Sequence, residues 1–232
     1  MGDIAQMSVA DEEWLYRLFG VDAEILIDHA WGIEDCSLAD IKGYRPKGNS
    51  RSVGQVLPRP YKYDEARIVL SEMIDQLALD LVARNVKTKE LSFWVSFDPA
   101  SLEELPSYEG PVSLDFYGRL HPGHVVGTVR LRTHTSSTRD ISEALLTAFD
   151  MKVDHRLLIR RLGVAANKLQ KGYVQLDFFT DYEAQERETR LQRVLLDVRR
   201  KYGAGTVLIK GKNLIEGATA IERSKQIGGH RA

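Results

Sequence analysis

The sequence predicts an α+β fold, a four-stranded antiparallel sheet built in the chain order β-α-β-β-α-β with two helices on one face. Three observations carry this expectation. Residues 91–97 alternate, with Leu91, Phe93, Val95 and Phe97 on one side and Ser92, Trp94 and Ser96 on the other, which is the period of a strand buried on one face. Residues 64–84 place Ala66, Val69, Leu70, Met73, Leu77 and Leu81 at helical spacing. Residues 139–151 repeat that spacing with Ile141, Ala144, Leu145, Ala148 and Phe149. Right-handed crossovers then bring both helices to the same face and leave the other bare.

In chain order, residues 1–38 read as short helices. Trp14, Leu15, Leu18 and Phe19 form one apolar stripe and Ile25, Leu26, His29 and Ala30 another, with Gly20 and Gly32 as stops. That is too little apolar surface for a core of its own. Residues 39–50 form a basic tether, with Gly43, Pro46 and Gly48 and no apolar period, so a domain boundary falls there. Residues 51–170 hold the sheet domain. Its first strand runs to Leu57, and helix 64–84 and strand 91–97 follow. Residues 99–126 are a Pro- and Gly-rich insertion with room for a small hairpin. Strand 127–135 turns Val129 and Leu131 inward and Thr128, Arg130 and Arg132 outward. Helix 139–151 and a last strand, 155–165, complete the domain. Residues 171–232 hold a charged helix at 183–202 and a tail with a short apolar run at 207–209.

The 232 residues are 43% hydrophobic and 28% charged, ordinary values for a soluble globular protein. No apolar run approaches the ~18 residues of a membrane helix, and no signal peptide opens the chain. The single cysteine, Cys36, permits no disulfide within the chain, which fits a cytoplasmic location. The formal net charge of −1 hides a segregation. Residues 1–40 carry ten acidic side chains and one basic; residues 41–63 carry six basic and none acidic. Residues 127–139 add three arginines and no acid, and residues 151–173 have six basic side chains against one acidic. Local field decides what a surface attracts, so this pattern points to a polyanion such as DNA.

Four constellations could carry chemistry. In Leu158-Ile159-Arg160-Arg161-Leu162-Gly163-Val164, strict alternation fails because Ile159, Leu162 and Val164 all want the core. A bulge at the arginines restores the pattern and turns both guanidiniums outward, where their forks match phosphate oxygens. The plainer reading is an edge strand with solvated charges, but Arg130 and Arg132 fall on the same face. The second is the hydroxyl cluster Thr135, Ser136 and Ser137 at a strand-to-helix junction, which suits either phosphate binding or simple helix capping. The third is Ser50, Arg51, Ser52 and Gly54, where small residues let a backbone approach phosphate closely; otherwise this is a plain loop into a strand. The fourth is Gln175, Leu176, Asp177, Phe178 and Phe179, a peptide-like hook for a hydrophobic groove or a short strand. Lys47 and Lys168, from the basic segments, and Trp94, from the bare face, complete the expected DNA-binding set. The six histidines do not cluster, and no catalytic residue or metal site is expected.

These residues, in this order, resemble the C-terminal part of Y-family DNA polymerases, in the UmuC-like (ImpB/MucB/SamB) branch of lesion-bypass enzymes. Residues 1–38 resemble the later half of a helix-hairpin-helix thumb, 39–50 the tether, and 51–170 the little finger, the family's own DNA-binding domain. The most specific match is Ile159-Arg160-Arg161-Leu162-Gly163-Val164. The segment Gln175-Leu176-Asp177-Phe178-Phe179 is similar to the family's sliding-clamp motif, with Phe178 where leucine is usual. The resemblance implies primer–template DNA and a sliding clamp as partners, a monomer, a bacterial nucleoid location, and translesion synthesis as the parent activity. It implies Mg2+ for the parent polymerase and no cofactor for this chain, because the palm with its metal-binding carboxylates has no counterpart here. The chain is then a fragment of a longer polymerase or a truncated gene product. Two other functions compete. One is a protein-interaction module whose basic surface meets an acidic partner; the other is an enzyme using His121, His124 and carboxylates of the 99–126 insertion.

Overall fold

A computed structural model describes residues 1–44, 48–171, 181–203, 215–223, 226–227 and 230–231. The chain divides into two compact units, Met1–Gly48 and Asn49–Ala232.

The first unit contains α1 (Gly2–Ala10), α2 (Glu12–Phe19), α3 (Asp22–Ala30) and α4 (Leu38–Gly43). Asp11 caps α2 by accepting a hydrogen bond from the Trp14 amide at 3.0 Å. Gly20, at φ 59°, ends that helix in a conformation that disfavours any residue with a Cβ. Of the described apolar side chains of this unit, only Leu15 and Ala23 are buried. The fourth helix lies where the sequence predicts an irregular tether. Ser37 and Asp40 cap each other's backbone there, and this local bonding outweighs the missing apolar period.

The second unit is built on β1 (Arg51–Tyr61), α5 (Tyr63–Ala83), β2 (Val86–Phe97), α6 (Ala100–Glu104), β3 (Val112–Leu114), β4 (Leu120–Pro122), β5 (Val125–Thr135), α7 (Thr138–Lys152) and β6 (Ile159–Asn167). The long strands lie in the order β1-β6-β2-β5, every neighbour antiparallel. This is the predicted α+β arrangement. β7 (Gln170–Lys171) pairs with the start of β2, and β3 and β4 form the small hairpin of the insertion. β1 runs four residues past the predicted Leu57, through Pro58 and Pro60. An edge strand tolerates proline where its register slips, and the pairing of β1 shifts between Val56 and Tyr61.

Leu91, Phe93, Val95 and Phe97 of β2 face α5 and α7 and are almost fully buried, together with Ile159, Leu162 and Val164 of β6. α5 is buried well beyond the apolar face that its spacing defines; Ser71, Glu72 and Asp75 are buried as well. Further helices account for this. α8 (Tyr182–Tyr202) packs on α5, and so does α9 (Ala220–Arg223). The amides of Thr219 and Ala220 donate to Glu72 Oε2 at 2.9 and 3.0 Å. Burial raises the Glu72 carboxyl above the ordinary carboxylate range, against these two hydrogen bonds and the nearby Arg223. The short pair β8 (Gln226–Ile227) and β9 (His230–Arg231) closes the described chain. No helix among the described residues is long and apolar enough to cross a membrane.

Candidate nucleic-acid interface

Pairing registers lay out the face of the sheet opposite α5 and α7. Directly opposed residues point to the same side, so each register row crosses the strands. One row runs Ser52, Ala165, Ser92, Thr128; the next runs Gly54, Gly163, Trp94, Val126; a third brings Val56, Arg161 and Ser96 together. Arg130 and Arg132 alternate with inward Val129 and Leu131 on β5 and are exposed. The floor thus carries small and hydroxyl-bearing side chains and the exposed Val56 and Val126, with one indole at its centre, guanidiniums at its edges and Glu90 opposite Arg130.

The arginine pair of β6 sits on a bulge. Ser96 pairs with Arg161 and Phe97 with Ile159, so Arg160 is the extra residue between them. The bulge keeps Ile159 and Leu162 in the core while both arginines leave it. They are not equivalent. Arg161 is exposed, whereas Arg160 is half-buried with Nε 3.8 Å from Asp98 Oδ2. Among the described residues Arg130, Arg132 and Arg161 enter no ion pair.

Several expected site residues lie elsewhere. Arg51 pairs with Ala166 on the helical side of the sheet, and its Nε and Nη2 donate to Asp80 of α5 at 3.2 and 3.1 Å. Strand parity decides this, because Ser52 and Gly54 take the open face. Lys168 is held by Glu90 at 2.6 Å. Thr135, Ser136 and Ser137 are only 2, 6 and 5% exposed, and Thr135 and Ser137 bond the start of α7 instead of lining a cradle. Ser137 Oγ accepts from the Asp140 amide at 3.2 Å, and Thr135 Oγ1 donates to Asp140 Oδ2 at 3.1 Å. The anion at this helix N-terminus is supplied from within. Glu188 of α8 accepts from Ser137 Oγ at 2.5 Å and from the Arg139 amide at 3.2 Å. Gln192 of the same helix, itself buried, donates to the Ser136 carbonyl and to Thr138 Oγ1. Ser50 is exposed at the entrance to β1. Lys47 and the hook Gln175, Leu176, Asp177, Phe178 and Phe179 lie outside the described residues.

The structure also adds basic groups. β2 begins at Val86, so Lys87 and Lys89 belong to it and stand near His134 of β5. Burial, then the charges of Lys89 and Lys87, hold the His134 imidazole below the ordinary histidine range. The sequence signal was the alternation Val86, Thr88 against Lys87, Lys89, hidden by the irregular step between Thr88 and Glu90. Among the described residues no group of three or more His, Cys, Asp or Glu is placed to hold a metal ion.

The profile of the impB/mucB/samB family C-terminal domain matches residues 48–178. No curated protein sequence matches significantly. Solved structures similar to the chain include the insertion ternary complex of Dbh DNA polymerase, at 11% identity and a TM-score of 0.35, covering 73% of this chain and 41% of that one. DinB from Sulfolobus solfataricus matches at 11% identity and 0.36, covering 73% and 42%. The post-insertion binary complex of Dbh DNA polymerase matches at 10% and 0.34, again covering 73% and 42%. The chain thus spans less than half the length of these polymerases.

Proposed function

Because the chain belongs to the impB/mucB/samB family, with residues 48–178 as its C-terminal domain, we propose that its open sheet face grips primer–template DNA for a Y-family translesion polymerase. The observation that carries this reading is the set Arg130, Arg132 and Arg161, exposed on the open face and in no ion pair among the described residues, with Glu90, the residue opposite Arg130, held by Lys168. Guanidinium forks bind phosphate oxygens in paired hydrogen bonds. Contacts of this kind position a duplex without reading its sequence, as a domain that must slide along any template requires. Residues 1–38 serve as part of the thumb and 39–50 as its tether, and the domain works as a monomer on bacterial DNA in the cytoplasm. Replacing Arg130, Arg132 and Arg161 with alanine should weaken duplex binding alike for all sequences. It should also flatten the slope of log K against log salt by roughly 0.9 per lost phosphate contact. An unchanged slope would mean that these arginines do not meet phosphate.

The segment Gln175, Leu176, Asp177, Phe178 and Phe179 tethers the domain to a ring-shaped sliding clamp. Three large apolar side chains on a short segment suit a hydrophobic groove, each worth about 1.5–3 kcal/mol when fully buried. Replacing Gln175, Leu176 and Phe179 with alanine should abolish capture by the clamp and leave duplex affinity nearly intact, since none of the three is charged. Clamp binding that survives the triple substitution would remove this assignment.

A further inference from the structure

The indole of Trp94 lies over the backbone of neighbouring β6 at Gly163 and reaches with its edge to Gly54 of β1, the next strand. A Cβ built on Gly163 would fall 2.1 Å from Trp94 Cζ2 and 2.5 Å from Cε2, and one built on Gly54 would fall 2.9 Å from Cζ2. No residue but glycine leaves room for the ring at Gly163. One ring face is therefore spent on backbone, and the half-buried side chain turns the other outward from the open sheet. Ser52, Ser92 and Ala165 border it on one side. Arg161 lies on the other, two residues or about 6.6 Å along the strands.

We propose that Trp94 is a stacking platform for an unpaired nucleobase, so that the open face holds single-stranded template beside the duplex. This inference rests on the DNA-binding reading given above and goes beyond it. Inside a duplex both faces of every base are occupied by neighbours, and only sugars, phosphates and base edges are offered to a sheet. An indole presented by its face gains from stacking only where a base is unpaired, and it does so without regard to sequence, because every base has a π-face. Neighbouring Arg161 supplies the charge for the adjoining phosphate, as single-strand channels combine stacking with cations.

The test uses the full chain with Trp14→Phe and Trp31→Phe, so that emission reports Trp94 alone. A short oligothymidylate should quench that emission, and a blunt duplex of similar length should not. Trp94→Ala should weaken oligothymidylate binding roughly fivefold to a hundredfold, a larger factor than its effect on blunt-duplex binding. Trp94→Phe, which keeps a smaller ring, should retain much of the affinity. Gly163→Ala should mimic Trp94→Ala by lifting the ring. Equal quenching by both forms of DNA, or wild-type oligothymidylate affinity in a folded Trp94→Ala chain, would overturn the platform. The quenching arm needs no substitution at position 94, so it decides even if Trp94→Ala fails to fold. If oligothymidylate binding survives Trp94→Ala but is lost with the three arginines, the platform falls and the phosphate reading stands. If the parent chain binds neither form of DNA, both fall.

Discussion

At the scale of single residues, what a basic side chain can do depends on whether the fold has already given it a partner. Arg51 and Arg161 both come from basic segments. Parity turns Arg51 onto Asp80 of α5, while Arg161 stays exposed on the open face. His134 is a second case. Burial and two lysines keep its imidazole below the ordinary value of about 6.5. Phosphate brought to this end of the sheet would favour the imidazolium, so DNA binding should take up a proton. Affinity should then rise as pH falls between the pKa of the complex and the lower pKa of the unbound chain. His134→Gln should abolish that slope. Stability runs the other way. Because the folded pKa is depressed, the histidine's contribution is fully present above the unfolded value of about 6.5 and is lost as pH falls through the folded one. Binding titrations across pH, with calorimetry in buffers of different ionisation enthalpy, would read the uptake. A flat profile for the parent chain would place His134 away from phosphate.

Among the elements, α8 has the role least apparent from its own sequence. It reads as a solvated, highly charged helix, yet Glu188, Gln185 and Gln192 bond the start of α7 and Gln192 is buried there. Glu188 meets the positive end of the α7 dipole, so the helix N-terminus that could have bound phosphate is already satisfied. Glu188→Ala should therefore destabilise the chain by about 0.5–2 kcal/mol, as loss of a helix cap does. Glu188→Gln should keep the hydrogen bond from the Arg139 amide through its one carbonyl oxygen, but it loses the charge and the second acceptor. Urea unfolding would measure both, and an unchanged midpoint for Glu188→Ala would show that water replaces the carboxylate there. DNA affinity should not fall in either variant, because this terminus is not on the open face.

For the whole molecule, the core of the second unit is assembled from β1, α5, β2, α7 and β6 and draws on no residue before Val53. Residues 49–232 alone should therefore unfold cooperatively at nearly the midpoint of the full chain. They should also keep the salt-dependent duplex binding expected of the open face. Loss of cooperativity on removing residues 1–48 would mean that the two units depend on each other for folding. The polar groups of α5 carry the same lesson at larger scale. Glu72 is reached by backbone amides 147 and 148 residues further on, so its burial belongs to the closed chain and not to its helix.

By itself, the sequence determined the elements whose signal is local. Two-residue alternation set the core face of β2, helical spacing set α5 and α7, and a mismatch in that alternation placed the bulge at Arg160 and Arg161. Trp94, Arg130, Arg132 and Arg161 were legible as open-face residues for the same reason, since period and face are tied by backbone geometry. Only the tertiary structure decided which of these groups stay available. The capture of Arg51 by Asp80, of Lys168 by Glu90, and of the α7 N-terminus by Glu188 joins residues 29, 78 and about 50 positions apart. The seating of Trp94 over Gly163, with its edge toward Gly54, depends on a strand order in which β6 lies between β1 and β2. Partners that far apart in the chain leave no local pattern, because they are brought together by packing the sheet and its helices and not by the period of any one element.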